Sequence, residues 1–151
     1  MSGRGSLLLV GIVACHDKGW TEREQKPTSL DLGGGVKLTV SVPDGLKRTN
    51  AEGDASARFE SIVEGGPFVS VYADASNLQE LVTVPPPGST GLDKRELPDG
   101  YGFLYAKDGP HVHLTRKIGK STINCDGFFL GTNKDDLKRA DMLWKICASV
   151  K

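Results

Sequence analysis

The chain of 151 residues has no excess of either charge, because 19 lysines and arginines balance 19 aspartates and glutamates. A neutral surface with well-mixed signs creates no field that would attract the phosphate backbone of DNA or RNA. We therefore expect no nucleic-acid partner. The length corresponds to one domain of ordinary size.

Long hydrophobic runs are also missing. A membrane-spanning helix needs about 20 apolar residues, and the longest run, from Leu7 to Ala14, is far shorter. This run follows a single cation, Arg4, and ends just before Cys15. Such an order is typical of an export signal. The alternative is that the run forms a buried first strand or helix of a cytosolic domain.

Residues 12–15, Ile-Val-Ala-Cys, resemble the lipobox of bacterial lipoproteins. The resemblance implies that residues 1–14 are removed as a signal peptide and that Cys15 receives acyl chains such as palmitate. Two or more chains hold a protein stably at a bilayer. His16 stands where aspartate retains lipoproteins at the inner membrane. We therefore expect an outer-membrane protein that faces the periplasm or the cell exterior, with the membrane itself as one partner.

Cysteine is scarce, and the three residues form an odd number. If Cys15 carries lipid, Cys125 and Cys147 remain as a pair in an oxidising compartment, where disulfides persist. Cys125 shares a strand face with Ile123 and Phe129, while Cys147 lies on the apolar stripe of a predicted helix. A disulfide that clamps this helix to the sheet is expected. Two reduced, buried thiols are the alternative.

The polar stretch 15–32 lacks periodicity, and we interpret it as the lipidated cysteine followed by a flexible tether. Trp20 is the exception, since it could contact either the membrane or the domain. A single domain is then expected over 33–151. Its first strand is predicted from the alternation over 36–42, which ends at a Pro-Asp-Gly turn.

Further strands are predicted at 57–63 and 68–72, joined by a hairpin. Residues 77–81 favour a short helix and residues 81–84 favour a strand, and these two alternatives overlap. A long surface loop is predicted from Pro85 to Gly100.

Three strand-like runs, 101–106, 111–118 and 121–130, are separated by Asp-Gly and Gly-Lys pairs, which predicts an antiparallel meander. Over 133–150 the apolar period changes to three and four, with Leu137, Ala140, Leu143, Trp144 and Cys147 on one stripe. The sequence therefore predicts an α+β fold, in which a C-terminal amphipathic helix packs on one face of an antiparallel sheet.

The opening segment, residues 36–46, is similar to the strand and Pro-x-Gly turn that begin PsbP-type domains, which occur in photosystem accessory proteins and bacterial lipoproteins. This resemblance implies a small, non-catalytic accessory or binding domain. It carries no functional residue over to this chain.

Motifs for nucleophilic catalysis and for paired metal ligands are missing. His111 and His113 lie two apart on one strand and could hold a metal ion if Asp108 or Asp126 supplied a further ligand. A metal-dependent hydrolase is thus one alternative function. The simpler interpretation is that both histidines face solvent, on the side of the strand that also carries Thr115 and Lys117.

Lys107, Lys117 and Lys120 could form, with the two histidines, a mildly basic patch for anionic headgroups or a cell-wall polymer. We predict a lipid-anchored envelope protein whose non-catalytic domain binds an envelope protein partner or supports an assembly. No cofactor is indicated. A second alternative function is a carrier that holds a small apolar ligand between sheet and helix.

Overall fold

The computed structural model describes residues 19–74 and 87–151. Within these ranges a 3-10 turn at Trp20–Glu22 precedes nine strands and one helix. In chain order the elements are β1 (Gln25–Asp31), β2 (Lys37–Pro43), β3 (Leu46–Arg48), β4 (Ser56–Ser61), β5 (Phe68–Asp74), β6 (Thr90–Leu97), β7 (Gly100–Ala106), β8 (Pro110–Ile118), β9 (Ser121–Phe128) and α1 (Asp136–Ala148). The predicted fold class is confirmed. In the described ranges, no helix combines the length and the apolar character that crossing a membrane requires.

Seven strands form one antiparallel sheet in the order β3-β4-β5-β9-β8-β7-β6, and β1 pairs with β2 in a separate ribbon. The predicted meander is confirmed as β7, β8 and β9. At its first turn Asp108 and Gly109 have φ values of 53° and 123°. A Cβ on Gly109 would stand 2.3 Å from the carbonyl oxygen of Phe129, so this position requires glycine.

Helix α1 packs across β8 and β9 through a fully buried apolar stripe. The stripe consists of Met142, Leu143, Ile146 and Cys147. Glycines in the sheet make room for the larger helix side chains: a Cβ on Gly102 would lie 2.8 Å from the Trp144 ring, and one on Gly127 would lie 3.0 Å from Leu143. The disulfide between Cys125 and Cys147 links this helix to β9.

The end of the chain joins the β1–β2 ribbon to the helix. The backbone N–H of Lys151 donates to the carbonyl of Thr39 at 3.0 Å, and the N–H of Thr39 donates back at 2.8 Å. The N–H of Ser41 also donates to the hydroxyl of Ser149 at 2.8 Å. These bonds fix the ribbon against the C-terminal segment.

The prediction of a flexible tether over 15–32 is wrong for its described part. The stretch contains β1, which pairs with β2 along its whole length, and it buries Leu30 and Leu32. A polar sequence becomes a strand here because the neighbouring β2 supplies the backbone partners. The ordered domain therefore begins before residue 33, whereas Cys15 and the signal segment 1–14 lie outside the described residues.

The predicted loop over 85–100 is also wrong, since Thr90–Leu97 forms the edge strand β6. This strand escaped prediction because an edge strand with little buried surface has no apolar alternation. The alternatives for residues 77–84 lie outside the described residues.

Helix α1 departs from its predicted stripe at one turn. Leu137 was expected on the buried face but is 86% exposed, whereas Arg139 is only 6% exposed. The Arg139 guanidinium donates to Asp136 at 2.7 Å and to the carbonyl of Gly131 at 3.1 Å, and it lies over the Phe129 ring. Arg139 therefore takes the inward position because it ties the loop before the helix to its first turn.

Candidate binding surface

The face of the large sheet opposite α1 carries rows of polar and aromatic side chains. Antiparallel register places residues of β5, β9, β8 and β7 side by side, and side chains two apart on a strand share a face. Successive rows on this face are therefore spaced by two residues along each strand. One row is aromatic and the next two are mainly polar.

The aromatic row crosses four adjacent strands. Phe68 stacks on Phe128 with ring centroids 4.9 Å apart, Phe128 stacks on His111 at 5.3 Å, and His111 stacks on Tyr105 at 5.0 Å. The planes of neighbouring rings differ by only 10–15°. Since each inner ring uses both of its faces on its neighbours, a ligand ring can stack only at an end of the row.

A small hollow lies at the Phe68 end of this row. It has a volume of about 170 Å³ and is lined by side chains of β4, β5 and β9, among them Arg58, Glu60, Phe68 and Asp126. Pockets for whole small molecules usually have about 300–1,000 Å³. The hollow therefore fits one side chain of a partner, with a cation and an anion at its rim.

A chain of hydrogen bonds runs beside the aromatic row. The Tyr72 hydroxyl donates to Oδ2 of Asp126 at 2.9 Å, and Oδ1 of Asp126 contacts Nδ1 of His113. On the other side of the ring, Nε2 lies 3.2 Å from the hydroxyl of Thr115, which donates to Oδ1 of Asn124 at 2.8 Å. Asp126 and Thr115 thus fix the His113 ring from both sides.

His111 and His113 are partly exposed, whereas the residues beside them at the centre of this face are buried. Thr115 and Asn124 are 0% exposed, and Nδ2 of Asn124 has no hydrogen-bond partner among the described residues. The Thr115 hydroxyl is therefore no accessible nucleophile.

Burial, and secondarily the charge of Asp126, raises the pKa of Tyr105, which keeps its hydroxyl protonated.

The two candidate metal ligands are engaged elsewhere. Nε2 of His111 lies 2.7 Å from the carbonyl oxygen of Lys107, and both nitrogens of His113 have protein partners. Within residues 19–74 and 87–151, no three His, Cys, Asp or Glu side chains come close enough together to hold a metal ion. Asp126 does approach His113, as the metal hypothesis required, but as an orienting partner of the ring.

The predicted basic patch is divided between two ends of the molecule. Lys107 lies in the turn before β8, whereas Lys117 and Lys120 lie at and beyond the other end of that strand. The seven steps along the strand from Pro110 to Lys117, at about 3.3 Å each, separate them by more than 20 Å. All three lysines are exposed, but they do not form one surface.

The space between sheet and helix is filled by protein side chains. Phe129, Leu114, Ile123, Leu143 and Ile146 are each less than 2% exposed, and Cys125 is bonded to Cys147 in the same layer. An apolar carrier site at this interface is therefore not supported. The cysteine pair lies where the sequence predicted, while Cys15 is outside the described residues.

No protein-family model and no curated protein sequence matches the chain. Among solved structures, the Ran-binding protein Mog1p of Saccharomyces cerevisiae is similar, with a TM-score of 0.55 and 10% sequence identity. The match covers 85% of this chain and 96% of Mog1p. At this identity the likeness shows a shared α+β fold.

Sequence reasoning linked Asp126 with His113 only as a possible metal ligand, and it did not identify Tyr72 and Asn124 as members of the same cluster. Alternation along each strand places them on the face opposite the apolar side chains, which is a signal in the sequence. The pairing of β5 with β9 brings Tyr72 beside this cluster, and Tyr72 and its partner Asn124 are too far apart in sequence to give a local sign of that pairing.

Proposed function

We propose that this chain is a lipid-anchored protein of the bacterial envelope with a non-catalytic domain that binds an envelope protein or supports an assembly. Acyl chains on Cys15 would hold it at the outer membrane. The lipobox resemblance of residues 12–15 supports the anchor. The bond between Cys125 and Cys147 agrees with an oxidising compartment, where such bonds persist.

The hollow beside Phe68 is the observation that carries the binding role. It offers the end of a stacked aromatic row, and exposed Arg58 and Glu60 flank it. Aromatic and arginine side chains in small pockets contribute much of the affinity of protein interfaces. An apolar or aromatic side chain of a partner, with a charged neighbour on either side, fits this arrangement.

A hydrolase built on His111 and His113 is less well supported. Both rings are held by protein contacts, and the hydroxyl that lies 3.2 Å from His113, on Thr115, is buried. The similarity of residues 36–46 to PsbP-type domains also favours an accessory role, and it stays a prediction.

Intact mass of the protein extracted from its native membrane tests the anchor. We expect loss of residues 1–14, added acyl mass on Cys15, and a gain of two hydrogen atoms when Cys125–Cys147 is reduced. An unprocessed chain with three free thiols would overturn the proposal of an envelope protein.

Site-directed photo-crosslinking in intact cells tests the binding surface. A photoreactive residue at Glu60, on the rim of the hollow, should form one discrete adduct with another protein. The same group at Lys120, exposed at the β8–β9 turn, serves as control and should not form this adduct. Equal adducts from both positions, or a Glu60 adduct that persists in an Arg58→Glu background, would contradict binding at the hollow.

A further inference from the structure

Three exposed apolar side chains lie together at one end of the molecule, and we call them the turn patch: Ile62, Val63 and Leu130. They are 71%, 46% and 71% exposed, and they line one depression of about 360 Å³ with Gly65 and Gly66. In the described residues the other large apolar side chain of comparable exposure is Leu137. Clustered apolar side chains on turn tips mark a contact surface.

The chain enters the domain at this same end. A Cβ on Gly66 would stand 2.7 Å from the Trp20 ring, and one on Gly45 would stand 3.4 Å from it. The Arg23 guanidinium covers the ring at 3.8 Å. Trp20 therefore lies against the β4–β5 turn that carries Ile62, so the first described residues are next to the turn patch.

The N-terminal segment is too short to let the domain move far from an anchored Cys15. Four peptide units join Cys15 to Gly19, and each spans about 3.8 Å at most, which limits their separation to about 15 Å. This step rests on the proposed acylation. It places the β4–β5 turn close to the bilayer surface that holds the lipid.

Charge does not favour one kind of headgroup at this end. Gly131 donates to the carbonyl of Asp108 at 2.7 Å, which brings the β7–β8 turn with Lys107 beside Leu130. Glu64 lies next to Val63. Because both signs are present, apolar contact rather than electrostatic attraction would hold this end at a membrane.

We propose that the turn patch inserts into the interfacial region of the bilayer that carries the acylated Cys15. Lipid anchor and patch then act as two points of attachment and fix the orientation of the domain. The sheet end with Lys117 and Lys120 points away from the membrane. The hollow beside Phe68 extends to Arg58 and Ser70, which lie farther from the β4–β5 turn and its patch.

Hydrogen exchange on a chemically anchored protein tests this orientation without relying on cellular acylation. With the Cys125–Cys147 bond intact, Cys15 is the free thiol of residues 15–151 and can be coupled to a maleimide lipid in phosphatidylcholine vesicles. Compared with the same chain capped at Cys15 and free in solution, amide exchange over 61–66 and 129–131 should slow severalfold. The protection should persist at high salt.

The Ile62→Asp/Leu130→Asp variant should lose this protection while it remains tethered. Both residues are 71% exposed, so the variant is expected to fold. Lys120→Asp is the control, because it changes the net charge by the same amount at the far end and should leave the protection unchanged. Equal exchange in tethered and free protein would overturn the orientation, and the patch would then be available to a protein partner.

The lipid anchor and the membrane contact of the turn patch can be refuted independently of each other. Native protein without acyl mass would refute the anchor, even if the coupled protein showed protection. Acylated native protein together with unprotected turns in the coupled protein would refute the membrane contact alone.

Discussion

The two faces of the seven-stranded sheet are formed by the same strands but differ in what holds them. On the helix side, Val71, Cys125 and Leu114 lie in adjacent positions and are all nearly inaccessible. One residue along, on the other side, Tyr72, Asn124 and Thr115 occupy the equivalent positions. Apolar packing and a disulfide hold the first face, while directional hydrogen bonds and ring stacking hold the second.

The helix side is also fixed at its margin by a cation. Arg116 binds the Asp99 carboxylate through Nε and Nη2 at 3.1 and 2.7 Å, and its Nη1 donates to the carbonyl of Ala148 at 2.8 Å and to that of Val150. A cation at these carbonyls also suits the negative C-terminal end of the helix dipole. The comparison teaches that the packed face supplies most of the stability, while the polar face supplies fixed geometry near the proposed binding hollow.

Truncation of the packed face should have the largest effect. Leu143 is 0% exposed and reaches Gly127, so Leu143→Ala should lower the free energy of unfolding by about 3 kcal/mol. The matched control on the same helix is Leu137→Ala, which is 86% exposed and should change it by less than about 0.5 kcal/mol. Urea unfolding without reductant measures both. Equal effects would show that the helix does not pack as described.

Breaking a hydrogen bond on the polar face should lower the free energy of unfolding by less. The loss should depend on whether the second partner of the bond is left in place. Thr115→Val removes the donor to Asn124 and leaves a buried amide without a partner, which should cost about 2 kcal/mol. Adding Asn124→Leu removes the amide that lacks a partner, so the double variant should recover most of the lost stability. If the double variant were as unstable as the sum of both single changes, the hydrogen bond between the two side chains would be disproved.

The smallest effect should be seen in the stability of the protein at acidic pH, where the pair of Asp99 and Arg116 is tested. The hydrogen bond from Arg116 lowers the pKa of Asp99 below its usual value of about 3.9. A lowered folded-state pKa adds stability that is present above the unfolded value and is lost as the pH falls through the folded value. Asp99→Asn should therefore flatten the decline in urea midpoint below about pH 4. The effect should be small, because 34% of the side chain is exposed. An unchanged acid profile would contradict it.

Elements with a clear period could be predicted from sequence. The alternation in β2 and in the β7–β9 meander, and the helical period before Cys147, each report burial on one side. Strands β1 and β6 could not be predicted, because β1 has few buried side chains and β6 is an exposed edge. β1 is a strand because its backbone pairs with β2, and β6 is a strand because its backbone pairs with β7.

The candidate surface was only half predictable. The sequence singled out His111 and His113 and the side of the strand on which they lie. It did not show that His113 contacts Asp126 or that Lys107 and Lys117 lie at opposite ends of β8. Position along a strand follows from the sequence only after its ends are known, and contacts across strands require the register.

By itself the sequence determined the α+β class, the meander, the C-terminal helix and the cysteine pair, because each depends on local periodicity or on residue chemistry. Tertiary structure decided which residues of the polar face meet, which apolar side chains stay exposed, and that Trp20 lies beside the turn patch. Those features depend on contacts between segments far apart in the chain, and such contacts are set by strand pairing and packing rather than by any local pattern.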